Sequence, residues 1–233
     1  MNSKMKVPKH VAIIMDGNSR WAKQKKLPKL YGYKKGIEAA QIVIETCIEL
    51  DIKFLTLYAF SLENWQRPKD EVSSLMNIFK NYLKEDIEKL IKKNVRIIFI
   101  GNHLKLDKEI KVLMETIEYK SSINDFYLVI AISYGGRDQI LRAFLKMVKQ
   151  QDIKNLNLSE CEKLFERAIN PYKIPNPDLL IRTSGEKRIS NFLLWQIAYT
   201  EFYFINKNWP DFNKKDLIEA IVDFNKRERK YGK

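Results

Sequence analysis

The stretch His10-Val11-Ala12-Ile13-Ile14-Met15-Asp16-Gly17-Asn18-Ser19-Arg20-Trp21-Ala22 decides how this chain is read. An apolar run with the length and composition of a buried strand ends in a carboxylate, and a Gly-Asn-Ser-Arg turn leads into residues that can open a helix. In an open α/β sheet, ligands bind beyond the C-terminal ends of the strands, where the chain turns into helices. Asp16 stands at that position. The free N–H groups of a turn and helix start suit an anion, and a carboxylate beside them suits a divalent cation. The segment reads as a metal-diphosphate site.

Outward from this stretch, strand and helix patterns alternate. Strands are expected at 11–15, 54–60, 95–100, 127–132, 179–181 and 202–205. Helices are expected at 34–50, 72–93, 106–120, 136–149, 158–169 (opened by a Ser159 cap) and 214–229. Strands separated by helices of this length imply βαβ crossovers and a mostly parallel sheet. The segment 171–177, with Pro171, Pro175 and Pro177, reads as a loop inside one domain spanning 1–233.

Composition sets the limits. A 233-residue chain with 45% hydrophobic and 12% aromatic residues can bury a large core and is not a disordered one. No apolar run approaches the ~18–20 residues of a membrane span. The N-terminal residues lack the apolar core of a secretory leader, and Cys47 and Cys161 fall in helix patterns without metal-ligand spacing. A cytoplasmic location follows as an expectation. The net charge is +13, and residues 1–35 hold ten Lys or Arg against the single Asp16. Such a surface suits a phosphorylated small molecule, an anionic membrane or a nucleic acid, besides being ordinary solvated lysine. Nucleic acid is the least expected partner, because the aromatics sit in strand and helix patterns and are not interleaved with the basic residues.

The chain has no P-loop, no GxGxxG, no HExxH and no CxxC pair, and its histidines are His10 and His103 alone. Its chemistry must rest on Asp, Glu, Arg, Asn and Ser. These gather after strand patterns, in 16–20, in Ser61-Leu62-Glu63-Asn64-Trp65-Gln66-Arg67, in Arg182-Thr183-Ser184-Gly185-Glu186-Lys187-Arg188-Ile189-Ser190, and at Glu201 after an apolar stretch. In a parallel sheet the first three share one rim. Arg20, Arg67, Arg182 and Arg188 then surround Asp16, and several guanidinium forks around one carboxylate suit more than one phosphate group.

These motifs resemble the cis-prenyltransferases, most closely the bacterial undecaprenyl diphosphate synthases. The resemblance rests on HVAIIMDGNSRWA (10–22), LTLYAFSLENWQRP (55–68), YGGR (134–137), DLLIRTSGEKRISNFLLWQIAYTEFYF (178–204) and WPDF (209–212). It implies a six-stranded, mostly parallel sheet with about seven helices, working as a homodimer. It also implies farnesyl diphosphate and isopentenyl diphosphate as substrates, Mg²⁺ as cofactor, and a long product such as undecaprenyl diphosphate, a lipid carrier for cell-wall biogenesis. Asp16, Asn18 and Asn64 would be catalytic, with Mg²⁺ on Asp16 and Glu201. Gly17, Asn18, Ser19, Arg20, Trp21, Lys29 and Tyr33 would face the allylic diphosphate, and Arg182, Arg188 and Ser190 the isopentenyl diphosphate. Ser61, Glu63, Asn64, Trp65 and Arg67 would contact substrate from a mobile loop. Small Ala59 and the helix from residue 72 would line a channel for the growing chain.

Against that family, Lys29 stands where Arg is usual, Tyr33 and Lys187 where His is usual, and Ser19 where Gly is common. Lys29 keeps a charge without the bidentate fork, and Tyr33 is neutral at pH 7. A shorter product and a non-catalytic subunit of a prenyltransferase complex are the alternatives. The retained Asp16 and Arg182-Thr183-Ser184-Gly185-Glu186 stretch argues against the latter. A basic surface also fits peripheral contact with an anionic membrane.

Overall fold

The computed structural model describes residues 6–85, 87–121, 125–150 and 153–228. The run after His10 forms β1 (His10–Ile14), buried at every position. It lies between β2 (Phe54–Ser61) and β5 (Leu179–Arg182), and β3 (Val95–Ile100), β4 (Phe126–Tyr134) and β6 (Glu201–Phe204) complete a six-stranded sheet. The strand order is β3-β4-β2-β1-β5-β6 and every pairing is parallel. The sheet therefore lacks the antiparallel edge that "mostly parallel" left room for.

Among the described residues there are eight α-helices. They are α1 (Asn18–Gln24), α2 (Lys29–Glu49), α3 (Lys69–Glu85), α4 (Ile87–Lys92), α5 (Lys108–Lys120), α6 (Gly136–Gln150), α7 (Leu158–Ile169) and α8 (Lys214–Asn225). The helix expected at 72–93 is present as α3 and α4, on either side of residue 86, which lies outside the described residues. Buried Leu83, Ile87 and Leu90 keep one helical spacing. Helix α7 is capped by Asn157 and not by Ser159. Asn157 Oδ1 accepts from the Glu160 N–H at 3.1 Å and Glu160 Oε2 from the Asn157 N–H at 2.9 Å, a reciprocal capping box. Helix α8 ends at Asn225, and residue 229, to which it was expected to run, lies outside the described residues.

Alternation along β1 sorts the two faces of the sheet. Val11 and Ile13 join the larger core, built with Ala39 and Val43 of α2, Val72 and Met76 of α3, Met114 of α5, and Leu217 and Ile221 of α8. Ala12 and Ile14 face the smaller core with Tyr58, Tyr134, Leu180 and Phe192. His10 lies on that second face, its Nδ1 at 2.6 Å from the Pro175 carbonyl and its Nε2 at 2.7 Å from Thr56 Oγ1. A carbonyl only accepts, so Nδ1 carries the proton and Nε2 accepts from the threonine. Burial pushes the pKa of His10 down to about 4. Both histidines line a cavity of about 360 Å³ on this face, under α6 and α7 and away from Asp16.

The topology places the functional crevice. The connection leaving β1 goes to β2 on one side, and the connection leaving β5 goes to β6 on the other. Connections diverging from two adjacent parallel strands open a crevice beyond their C-terminal ends. That crevice lies between the residues following Ile14 and those following Ile181.

Candidate active site

Asp16 stands just past the end of β1, and its backbone is clamped before its side chain is used. Its carbonyl accepts from the Trp209 N–H at 3.0 Å and from Thr183 Oγ1 at 2.7 Å. Gly17 follows at φ +105°, where a Cβ would come within 2.5 Å of Asn208 Oδ1 and 2.9 Å of Ser184 Oγ. Only glycine fits there. Trp209 also donates its indole N–H to the Gly36 carbonyl at 2.8 Å, tying the turn to α2. The tryptophan of the 209–212 motif is thus a brace behind Asp16.

The carboxylate is held by two arginines. Arg182 NH2 donates to Oδ2 at 2.8 Å and Arg20 NH2 to Oδ1 at 3.2 Å. Arg182 ends β5 with a side chain only 5% exposed, and its other terminal nitrogen reaches Ser190 Oγ at 2.8 Å and the Arg188 carbonyl. Arg20 also donates to the Ser184 carbonyl at 2.9 Å and pairs with Glu186 at 3.0 Å. Glu186 takes Arg188 as well, and the hydrogen bond from Arg188, helped by the charge of Arg20, holds the Glu186 carboxyl below the usual range. Ser184, Ser190 and Asn191 all sit at positive φ in this loop. Left-handed non-glycine residues cost roughly 1 kcal/mol or more each, and they gather where a loop must place groups around a site.

A second cluster centres on Glu71, in the first turn of α3. Lys29 Nζ donates to its Oε2 at 2.9 Å, while Arg67 NH1 and the Tyr33 hydroxyl both reach Oε1 at 3.2 Å. With its proton on Glu71, the Tyr33 oxygen accepts from Arg67 at 3.1 Å and from Ser19 Oγ at 3.0 Å. The Lys29 hydrogen bond, with the charges of Lys29 and Arg67, draws the Glu71 carboxyl down, and the same contact raises Lys29. Two of the residues that depart from the family pattern, Lys29 and Tyr33, meet on one carboxylate. Glu71 did not stand out in the sequence. Its only local signal is the spacing of four from Arg67 inside an ordinary charged helix start.

Two polar pockets adjoin at this rim. One of about 330 Å³ is lined by residues including Asp16, Ser61, Asn64, Arg182, Arg188 and Ser190. The other, about 200 Å³, is lined by residues 15–20 with Tyr33, Arg67 and Glu71. Both include Asp16, Asn18, Arg20, Tyr33 and Arg67. An apolar pocket of about 140 Å³ continues from them through Ala59 and Leu75 to Phe79 and Tyr82.

Several expected contacts are absent from the pockets. Trp21 turns its indole N–H to Asp211 at 2.8 Å and lines neither polar pocket. It braces α1 from outside. Trp65 donates to Ser133 Oγ at 2.9 Å and packs edge-on against Phe60, so it anchors its loop from beneath. Glu63 accepts from Asn191 at 2.7 Å, and Asn64 closes a capping box with Ser61. Glu201 is level with Leu179 at the start of β6, three residues short of Arg182 in the register, and its carboxylate pairs with Arg227 at 3.0 Å. Strands rise about 3.3 Å per residue, so Glu201 is roughly 10 Å back along the sheet from the Asp16 rim. Within one chain, Asp16 and Glu201 are not brought together.

The donor set at the rim nonetheless fits Mg²⁺. Asn18 Oδ1 is buried and accepts no hydrogen bond from a described residue, and the residue Asn18 lines both polar pockets with Asp16. Among the described residues no three His, Cys, Asp or Glu side chains cluster to hold a metal alone. One carboxylate and a neutral oxygen beside arginines match the hard, partly hydrated ion that completes its shell with substrate phosphates.

Comparison with known proteins places the chain in a family. Residues 14–232 match the prenyltransferase family model described as putative undecaprenyl diphosphate synthase. The chain belongs to this family. Isoprenyl transferase of Aquifex pyrophilus is 49% identical over 98% of this chain and 97% of its own length. That of Clostridium tetani is 45% identical over 97% and 89%. Lavandulyl diphosphate synthase from Lavandula x intermedia, solved with dimethylallyl diphosphate, superposes with a TM-score of 0.92 at 36% identity over 97% of this chain and 99% of its own. A probable undecaprenyl diphosphate synthase from Campylobacter jejuni gives 0.81 at 34% identity over 98% and 100%. This prenyltransferase is therefore a transferase acting among isoprenoid diphosphates. Among its described residues no helix is long and apolar enough to cross a membrane.

Proposed function

We propose that the enzyme condenses isopentenyl diphosphate onto an allylic diphosphate primer, farnesyl diphosphate by preference, repeating the step to build a long polyprenyl diphosphate such as undecaprenyl diphosphate. The observation that carries this reading is the pair of polar pockets sharing Asp16, Arg20 and Arg67 and opening into an apolar pocket. That arrangement suits two diphosphates and one hydrocarbon tail. A dimethylallyl diphosphate complex in a fold this similar supports an allylic diphosphate in one of them.

The chemistry asks for charge stabilisation and positioning. The allylic C–O bond breaks, the isopentenyl double bond supplies the electrons of the new C–C bond, and loss of a proton restores a double bond. Asp16, with Asn18 beside it, would hold Mg²⁺, which would supply positive charge to the leaving diphosphate. The turn N–H groups of 17–20 and the Arg20 fork bind the primer diphosphate, beside Tyr33 and Lys29. Arg182, Arg188 and Ser190 orient the isopentenyl diphosphate, and close positioning of this kind supplies much of the rate. Segment 67–71, tied to α2 by polar contacts of Arg67 and Glu71 with Lys29 and Tyr33, is the element placed to close and exclude water.

Exposed Leu141, Phe144, Leu145 and Val148 form an i, i+3, i+4, i+7 stripe on α6. An apolar stripe left in water supports a homodimer through α6, and Glu201 would then act only at a junction of two chains. The apolar pocket, at about 140 Å³ the smallest of the three, favours a shorter product as the second reading. One assay decides. Purified protein with farnesyl diphosphate, labelled isopentenyl diphosphate and Mg²⁺ is expected to give long-chain product, lost in Asp16→Ala. Product halting after one or two additions supports the second reading, and no incorporation refutes both. An apolar product also favours work at a bilayer surface.

A further inference from the structure

We propose that the α1–α2 hairpin docks this enzyme onto an anionic lipid bilayer. The surface is built into the chain. Residues 23–31 are exposed without interruption, and no acidic residue occurs between Asp16 and Glu38. Lys23, Lys25, Lys26 and Lys34 form no ion pair with a described residue, whereas Lys29 and Lys35 are engaged by Glu71 and Glu38. Among the free lysines, Leu27, Leu30 and Tyr31 are 40%, 38% and 56% exposed. Single exposed leucines are commonplace, but three exposed apolar side chains within nine consecutive exposed residues that also carry lysines without a described ion-pair partner are not.

The backbone holds this arrangement in place. Lys26 adopts φ +57° as the hairpin leaves α1, with its N–H on the Lys23 carbonyl at 3.1 Å and the Leu27 N–H on Ala22 at 2.8 Å. Glycine is the usual residue for that left-handed helix end, and here a lysine takes it. Pro28 then caps α2 and fixes the turn that presents Leu27. Lys23, Lys26, Leu27, Pro28 and Lys29 line one shallow cleft with Ser19 and Arg20, which also line the smaller polar pocket.

Apolar side chains entering the headgroup layer while lysines meet lipid phosphates is the physics of interfacial binding. A nucleic acid would use the same lysines but leave Leu27, Leu30 and Tyr31 in water. Docking here holds the rim of the diphosphate pocket against the membrane, where an apolar product has a solvent. That purpose rests on the prenyl-transfer reading, but the binding itself is measured without substrate.

The test is sedimentation of the full chain with phosphatidylcholine vesicles, with and without phosphatidylglycerol, at low and high salt. Binding is expected only with phosphatidylglycerol and is weakened by salt. Lys23→Glu with Lys25→Glu and Lys26→Glu is expected to cut partitioning by about a hundredfold or more. Leu27→Ser with Tyr31→Ser is expected to cut it by about tenfold. The control triple Lys105→Glu, Lys108→Glu and Lys111→Glu should bind as the parent does. All variants should melt as the parent does and turn over detergent-dispersed substrates at its rate. The proposal is overturned if the parent does not sediment with anionic vesicles at low salt, or if the control triple loses as much. It is equally overturned if the Leu27/Tyr31 variant binds unchanged, or if the hairpin lysines retain RNA and no vesicles. Vesicle binding without any prenyl transfer would sink the functional reading and leave the surface standing.

Discussion

Arg182 shows how much of the site depends on one side chain. Its guanidinium spans Asp16 Oδ2 and Ser190 Oγ, both at 2.8 Å, from an almost fully buried position. Lysine keeps the charge but has no planar fork, so Arg182→Lys loses one of these two contacts and leaves the carboxylate or the hydroxyl unpaired. We expect kcat/KM to fall by about 2–3 kcal/mol of transition-state stabilisation, roughly 30- to 150-fold. The far-UV spectrum should be unchanged. Asp16, Arg20, Arg182 and Arg188 were legible in the sequence because each follows a strand pattern, and parallel strands bring their ends to one rim. Trp21 and Trp65 line neither polar pocket, for a different reason. Their backbone positions are beside the rim, but an indole needs packing and one acceptor, and both found these behind it. His10 carries the second prediction at this scale. Its folded pKa near 4 lies below the ordinary value of 6.5, so the unfolded chain binds the extra proton between those values. Stability is therefore full above pH 6.5 and is lost as pH falls toward 4. Unfolding in urea should show a loss of about 2 kcal/mol between pH 7.5 and pH 5. Burial also lowers His103, which adds to the loss with the same sign. His10→Gln should flatten most of this dependence.

At the scale of elements, α2 and α3 share the larger core and also meet through polar groups at their first turns. Helix α2 begins at Lys29, five residues before the apolar periodicity, because Gly32 lets its first turn lie against α1. A Cβ at Gly32 would stand 2.1 Å from the Asn18 carbonyl oxygen. Glycine looks like a poor helix residue in a window, and a close approach of two helices is invisible there. That early start is what carries Lys29 and Tyr33 to Glu71. Replacing the carboxylate by an amide, Glu71→Gln, removes the charge and one of the two acceptor oxygens that align Lys29, Tyr33 and Arg67 beside the turn of 17–20. Weakening these charge-assisted hydrogen bonds should cost about 1–2 kcal/mol of primer binding. KM for the allylic diphosphate should then rise roughly tenfold with little change in kcat. A fall in kcat with KM unchanged would instead place Glu71 in the chemical step.

For the whole molecule, the sheet order places the crevice on one side and leaves an apolar face in water on the other. Diverging connections after β1 and β5 create the crevice, and every strand end that feeds it lies at one edge of the sheet. The second face is covered by the segment around Phe192 and, farther out, by α6 and α7, whose outer surface keeps the apolar stripe of α6 in water. Packed on a second copy by a two-fold axis, Phe144 and Leu145 would be central and withdrawn from water. Glutamate at both positions would set like charges against each other across that axis in place of apolar contact. Phe144→Glu with Leu145→Glu should therefore convert a dimer of about twice the 27.6 kDa chain mass into a monomer, read by light scattering after gel filtration. The Asp16 rim belongs to one chain, so diphosphate binding by the monomer should persist. A parent that is already monomeric at micromolar concentration would remove α6 as the dimer face, and with it the only junction at which Glu201 has a part to play.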